Sequence, residues 1–361
     1  MSNATTGSND GAMRIPGSGP TPAPAPGRTP GHEPMPTSDP MLDRMRLAVA
    51  LAARATRFVQ RSSTLDGIAK DDRSPVTVAD WASQAVVAMT LGGALPLVGE
   101  EDASALRDPS SAPLLSRVAE AVNHALGRSV AESECLEAID LGRAAPCGRF
   151  LTLDPVDGTK GFLRRQQYAI SLALIEQGAV VLGVVGCPNL PAHDNRDYDN
   201  ADATGCLAYA ARGHGAWIQS DAAQQPLRMA IAPWGAGEPV RSCESVEAAH
   251  SKQDVSVELL AAIGAPGTPA RLDSQCKYVV VARGGADIYM RLPVKADYRE
   301  KIWDHAAGAL VATEAGARVC DVDGRPLDFG LGRELTANRG VLAGHPAIVE
   351  SVVRAYAARP R

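Results

Sequence analysis

Short apolar runs that end in acidic or glycine residues, interleaved with helical stretches, predict a layered α/β fold for this 361-residue chain. Two further observations support that class. No internal period is found, which sets aside solenoids and propellers. The composition, 45% hydrophobic and 21% charged, is that of a globular chain long enough for one large layered fold or two domains.

Residues 1–40 differ from the rest, with nine of the 26 Pro and one branched aliphatic, Ile15. A segment so poor in apolar groups cannot offset its ordering entropy, so a disordered Pro/Gly/Ser-rich tail is expected. Asp39 then reads as an N-cap and Pro40 as the first residue of a helix of about twenty residues. A second helix is expected from Thr77 or Val78 to Leu91, ended by Gly92 and Gly93. Leu95–Val98 and Phe150–Leu153 read as short buried strands that deliver Glu100-Glu101 and Asp154 to their ends. Residues 168–176 and 179–186 read as a hairpin turning at Gln177-Gly178. The polar stretch 191–204 is the candidate boundary between an N-terminal α+β part (41–190) and a C-terminal α/β part (205–361). Strands are expected at 205–211, 215–219, 279–282 and 286–291. A final helix is expected from Trp303 to Ala315, then a turn at 320–325 and the last strands.

Composition excludes several functions. A net charge of −5 and 4% aromatics leave neither the basic surface nor the stacking platform of a polynucleotide binder, and no basic face for anionic lipid. Seven Cys without a CxxC pair and seven His without HxxxH spacing argue against a disulfide scaffold and a structural zinc site. They suit a reducing, cytoplasmic setting. No apolar run is long enough for a bilayer, and no secretory signal is visible. Asp10, Glu33, Asp39 and the scarcity of Arg in the tail count against an organelle-targeting peptide, which stays as the alternative.

The densest chemical signal is LDPVDGTKGFLR, 153–164. A buried strand ends in Asp154 and Asp157, separated by Pro-Val, so both carboxylates and the Val156 carbonyl can converge. Three such oxygens suit a hard cation such as Mg²⁺. The N–H groups around Gly158 and Thr159 can receive a phosphate oxygen. The plain alternative is a pair of turn dipeptides. Glu100 and Glu101 read equally as a solvated loop edge, Asp304 as a carboxylate favoured at a helix start, and Asp80 as a surface Asp. Together they are four acidic clusters punctuating apolar elements, the pattern of a two-metal phosphoryl-transfer site.

The strings SPVTVAD, VGEE, LDPVDGTKGFLR and KIWDHAAGALVATEAG, in this order, resemble the lithium-sensitive, magnesium-dependent inositol monophosphatase superfamily. Within it the chain is similar to the 3'(2'),5'-bisphosphate nucleotidase branch, over roughly residues 41–350. The resemblance implies a layered α/β/α/β/α sandwich of two subdomains, related to fructose-1,6-bisphosphatase, with the active site between them. It implies Mg²⁺ held by Glu100, Asp154 and the Val156 carbonyl, a second Mg²⁺ held by Asp154, Asp157 and Asp304, and allows a third, loosely held ion. Asp80 and Thr159 would polarise the attacking water. The implied substrate is 3'-phosphoadenosine 5'-phosphate, cut to AMP and phosphate, with its phosphosulfate as a further substrate. Gly158, Thr159 and Asp304 would meet the substrate at the metal end. Ser274, Lys277 and Arg291, in LDSQCKY and RLP, are the types needed for a second phosphate, and His250 matches the position of an adenine contact. Read without the resemblance, Lys277 and Arg291 are strand-edge charges and His250 a loop histidine.

Two departures stand out. Ala317 replaces a common Gly in a turn, and Gln253 stands where relatives often carry a second His. An inositol mono- or polyphosphate phosphatase is the alternative activity, and a non-catalytic nucleotide sensor a lesser one. The acidic stretches at 194–202 and 321–324 lack the spacing of a calcium loop.

Overall fold

The computed structural model describes Met1 and residues 39–61, 78–193, 198–220, 225–235, 237–247, 252–265, 269–295 and 297–359. Helix α1 (Pro40–Arg61) starts where the sequence places it. The Asp39 carboxylate accepts the N–H groups of Met41 and Leu42 at 2.8 and 3.1 Å, satisfying two donors that a helix start leaves open. The tail expectation for residues before Asp39 falls outside the described residues, Met1 excepted. Helix α2 (Val78–Leu91) is buried on nearly every side and stops at Gly92 and Gly93. Strand β1 (Leu97–Gly99) follows. Helices α3 (Ala112–Leu126) and α4 (Glu132–Asp140), absent from the sequence reading, pack beside α1 and α2.

Strand β2 (Arg149–Asp157) runs past Asp154, and its register against the next strand shifts between Asp154 and Asp157. After the short helix α5 (Thr159–Leu163) come β3 (Ala169–Glu176) and β4 (Ala179–Cys187). The turn between them places Gln177 and Gly178 at φ 49° and 78°, the left-handed pair that a two-residue hairpin requires. Strands β5 (Cys206–Ala211), β6 (Ala216–Gln219) and β7 (Leu227–Met229) complete a seven-stranded sheet in chain order. Only β1 and β2 are parallel within it. The 191–204 stretch connects β4 to β5, which pair from Leu182–Ala211 to Cys187–Cys206.

The remaining elements are β8 (Ser242–Glu244), α6 (Gln253–Ala262), β9 (Ala270–Arg271), α7 (Cys276–Ala282), β10 (Ile288–Arg291), α8 (Ala306–Glu314), β11 (Arg318–Cys320), β12 (Val341–Gly344) and α9 (Pro346–Ala357). Their strands form a five-stranded sheet in the order β11-β12-β10-β8-β9. Two expectations are corrected here. Residues 279–282 belong to helix α7 and not to a strand, because packing between two sheets overrides the β preference of a Val run. The helix after Trp303 is not the last, since α9 follows with Pro346 in its first turn.

From Asp39 onward the described residues form one unit of five layers. Helices α1–α4 cover one face of the large sheet, α7 and α8 lie between the sheets, and α6 and α9 cover the far side of the small one. This is the α/β/α/β/α order expected. The middle layer is tight: a Cβ on Gly308 in α8 would sit 2.3 Å from Cδ2 of Tyr278 in α7. Only glycine fits there.

Candidate active site

The parallel pairing of β1 with β2, Gly99 opposite Leu153, brings two strand ends to one point. Glu100 follows one, and Asp154, Val156 and Asp157 end the other. A cavity of about 240 Å³ is lined by Glu100, Asp154, Val156, Asp157, Gly158, Thr159, Ser274, Lys277, Arg291 and Asp304. These are the sequence-assigned residues except two. Asp80, in the first turn of α2 and 2% exposed, is not among the lining residues but is near enough to disfavour charge on Glu100 and Asp154. His250 lies outside the described residues.

Crowding dominates the electrostatics. Burial first, then neighbouring carboxylates, pushes Glu100 and Asp154 well above the usual carboxylate range. Burial lifts Asp304 to about 7, against the pull of Arg291. Asp157 is raised by burial too, but Lys277, the Gln275 N–H and Arg291 hold it down. Several carboxylates thus share a desolvated cleft, and each raises the cost of ionising the next.

Local hydrogen bonds fix the loops that carry them. Val156 N–H donates to Asp154 at 3.1 Å, and the Thr159 hydroxyl donates to the Val156 carbonyl at 3.2 Å. Gly158, at φ 84°, makes the left-handed turn into α5, with Ser274 packed where its Cβ would point. From α2, Ser83 donates to the Pro155 carbonyl at 2.7 Å. Gln84 donates to the carbonyls of Glu101 and Ile139 at 2.6 and 2.7 Å and accepts the Glu101 N–H at 3.2 Å. The Gln275 N–H donates to Asp157 at 2.5 Å, while its side chain donates to the Trp303 carbonyl and accepts the Gly308 N–H. Sequence reasoning missed Ser83, Gln84 and Gln275. Polar residues inside helices or turns show no pattern until their partners are known.

The basic wall is built differently from its sequence reading as strand-edge charge. Lys277 is 1% exposed, and Nζ donates to the carbonyls of Leu272 and Ser274 at 3.0 and 2.7 Å, 5.2 Å from the Tyr289 ring centre. Ser274 adopts φ 69°, rare for a non-glycine residue, and its hydroxyl accepts the Cys276 N–H. Arg291 Nη2 pairs with Glu300 at 2.8 Å and stands 3.9 Å from Asp304. At the mouth, Lys160 and Arg164 reach Glu247 at 3.0 and 2.8 Å, and Arg164 also pairs with Asp273. Lys160, Glu247 and Asp273 line the cavity and were not foreseen as site residues.

The donor set fits a hard divalent cation. Of the six lining carboxylates, those of Glu100, Asp154, Asp157 and Asp304, with the Val156 carbonyl, offer oxygen donors, and such a charge would relieve the mutual repulsion of the carboxylates. Among the described residues, the ligand atoms of Glu300, Asp304 and His305 come within 4.8 Å of one another. The Arg291 guanidinium already faces Glu300 and Asp304. All seven cysteines are free, so none is tied in a disulfide. Among the described residues, no helix is long and apolar enough to cross a membrane.

Comparisons with known proteins bear on the family and the fold. The chain is 40% identical over 335 residues to the 3'(2'),5'-bisphosphate nucleotidase of Schizosaccharomyces pombe, covering 87% of this chain and 94% of that one. It is 43% identical to 3'(2'),5'-bisphosphate nucleotidase 1 of Arabidopsis thaliana, over 76% of this chain and 83% of the other. Among solved structures, the extragenic suppressor protein suhB of Bartonella henselae superposes with a TM-score of 0.61 at 20% identity, over 89% of this chain and all of that one. CysQ of Bacteroides thetaiotaomicron, a bacterial member of the inositol monophosphatase family, gives 0.56 at 19% identity, over 85% and 97%. At such identities these two likenesses concern the fold. Residues 42–356 match the inositol monophosphatase family, and the chain belongs to it.

Proposed function

We propose that this chain is a Mg²⁺-dependent phosphatase that removes the 3'-phosphate of 3'-phosphoadenosine 5'-phosphate, giving AMP and phosphate, and of its phosphosulfate, giving adenosine 5'-phosphosulfate and phosphate. The observation that carries the reading is one cleft with two chemistries: buried carboxylates and the basic side chains of Lys277 and Arg291 line it together. A mononucleotide bisphosphate needs both, because its second phosphate brings roughly −2 charge that a chain of net −5 must offset locally.

Glu100, Asp154 and the Val156 carbonyl would hold one Mg²⁺, and Asp154, Asp157 and Asp304 a second, with a third more loosely held. Bound there, the metal supplies Lewis-acid polarisation of the phosphoryl group and of a water. The chain's own residues do the rest. The Thr159 hydroxyl would orient the attacking water and relay its proton to the Asp80 carboxylate. The backbone turn at Gly158 cradles the transferring phosphate. Ser274, Lys277 and Arg291 position the second phosphate, and His250 is assigned to the adenine. The cytoplasm, where free thiols persist, is the proposed setting.

Phosphate release from 3'-phosphoadenosine 5'-phosphate, measured beside inositol 1-phosphate with and without Mg²⁺, tests the proposal. Faster turnover of the nucleotide, abolished by chelation, is expected. A preference for inositol 1-phosphate would replace it with the sister activity.

A further inference from the structure

Behind the basic wall lies a buried chain of hydrogen bonds that the proposed chemistry does not use. The Tyr278 hydroxyl is 2.8 Å from Nδ1 of His305, and Nε2 of His305 is 3.2 Å from the Glu300 carboxylate. The same Glu300 oxygen lies 2.8 Å from Nη2 of Arg291. Tyr278 and His305 are fully buried, and Glu300 is 6% exposed. One tautomer satisfies every member: His305 donates through Nε2 to the carboxylate and accepts the tyrosine O–H at Nδ1. Glu300 is thereby held on two sides, by an imidazole and by a guanidinium.

Arg291 has a second carboxylate within reach. Asp304 stands 3.9 Å from the same Nη2, beyond hydrogen-bond distance. A buried guanidinium deprived of one counter-charge takes the next nearest. We propose that Glu300, braced by His305 and Tyr278, is a positioning residue that keeps Arg291 off Asp304, leaving Asp304 to bind a divalent ion. The inference rests on the reading of Asp304 as a metal ligand. It also accounts for the close approach of Glu300, Asp304 and His305 without a further metal, because Arg291 is the cation of that group. The role is electrostatic sorting: two carboxylates, one organic cation and one metal, each assigned its partner by geometry.

Mn²⁺ binding to the full-length protein, measured by calorimetry without substrate, tests it. Glu300→Gln, which keeps the shape and removes the charge, should weaken Mn²⁺ binding about tenfold. Tyr278→Phe, which deletes one hydroxyl, should weaken it about twofold to threefold and guards against a misfolded first variant. The decisive protein is Arg291→Met/Glu300→Gln. With no guanidinium left to fall on Asp304, its Mn²⁺ affinity should return to within about twofold of the wild type. A double variant as weak as Glu300→Gln alone would overturn the proposal, since Glu300 would then be a direct ligand or a structural prop. Asp304→Asn separates the two levels. Undiminished Mn²⁺ binding in that variant overturns the ligand reading of Asp304 and this inference with it. Weakened binding there, with Glu300→Gln unchanged, overturns the inference alone.

Discussion

The backbone N–H of Gln275 donates to the carboxylate of Asp157 at 2.5 Å, across 118 positions of sequence. The side chain of the same glutamine holds the Trp303 carbonyl and the Gly308 N–H, the segment that presents Asp304. One residue thus ties together two acidic residues of the cleft, both proposed as metal ligands. Gln275→Leu should leave two buried backbone groups unpaired, at about 1–3 kcal/mol each. Denaturant unfolding is expected to show that loss, and turnover at saturating substrate to fall with it.

Asp157→Asn removes one charge from the crowded cleft while keeping an acceptor for the Gln275 N–H. Mg²⁺-dependent phosphate release should drop more than about 100-fold, with the thermal unfolding midpoint within a few degrees of the wild type. Full activity in this variant would contradict its place among the ligands.

The raised carboxyls make the metal-free protein pH-sensitive in a stated direction. Glu100, Asp154 and Asp304 have folded-state values above their unfolded ones, Asp304 at about 7. The folded state therefore binds protons more tightly, and the stabilisation is complete below the unfolded carboxylate range of about 4 and lost as pH rises through the folded values. In chelator, the melting temperature should fall between pH 5 and pH 8, roughly the window that Asp304 defines. Added Mg²⁺ should flatten that slope. A chelated protein that grows more stable over the same range would refute the crowding argument.

Lys277 is buried and donates to two carbonyls, so replacing it has a structural and a recognition component. Lys277→Met should lower stability by about 1–3 kcal/mol through the unpaired carbonyls. It should also raise KM for the nucleotide bisphosphate about tenfold or more, against a small change for inositol 1-phosphate. Parallel shifts for both substrates would mean that the ammonium supports the Ser274 loop alone.

Residues whose role is announced by type and local spacing were legible in the sequence. Asp39 before Pro40, the glycines after Leu91 and the Gln177-Gly178 turn each act within a few residues of themselves, and the structure places them as read. The acidic motifs were legible for the same reason, as carboxylates at the ends of apolar runs. What was hidden depends on distant partners. Val279–Ala282 has the branched side chains of a strand, yet Gly308 lets α8 approach Tyr278 so closely that a helix fits between the sheets. Gln84 and Gln275 look like ordinary glutamines until the carbonyls they serve arrive from elsewhere in the chain. Glu300 and His305 flank Asp304 in sequence, but their service to Arg291 appears only once β10 is laid beside them.

The slab formed by α7 and α8 belongs to neither sheet and is gripped by both. Lys277 grows from it, and Asp304 sits at its threshold. Heat or denaturant that frees either sheet is expected to unseat this slab, and the proposed anion-binding and metal-binding residues of the cleft should lose their alignment in the same event.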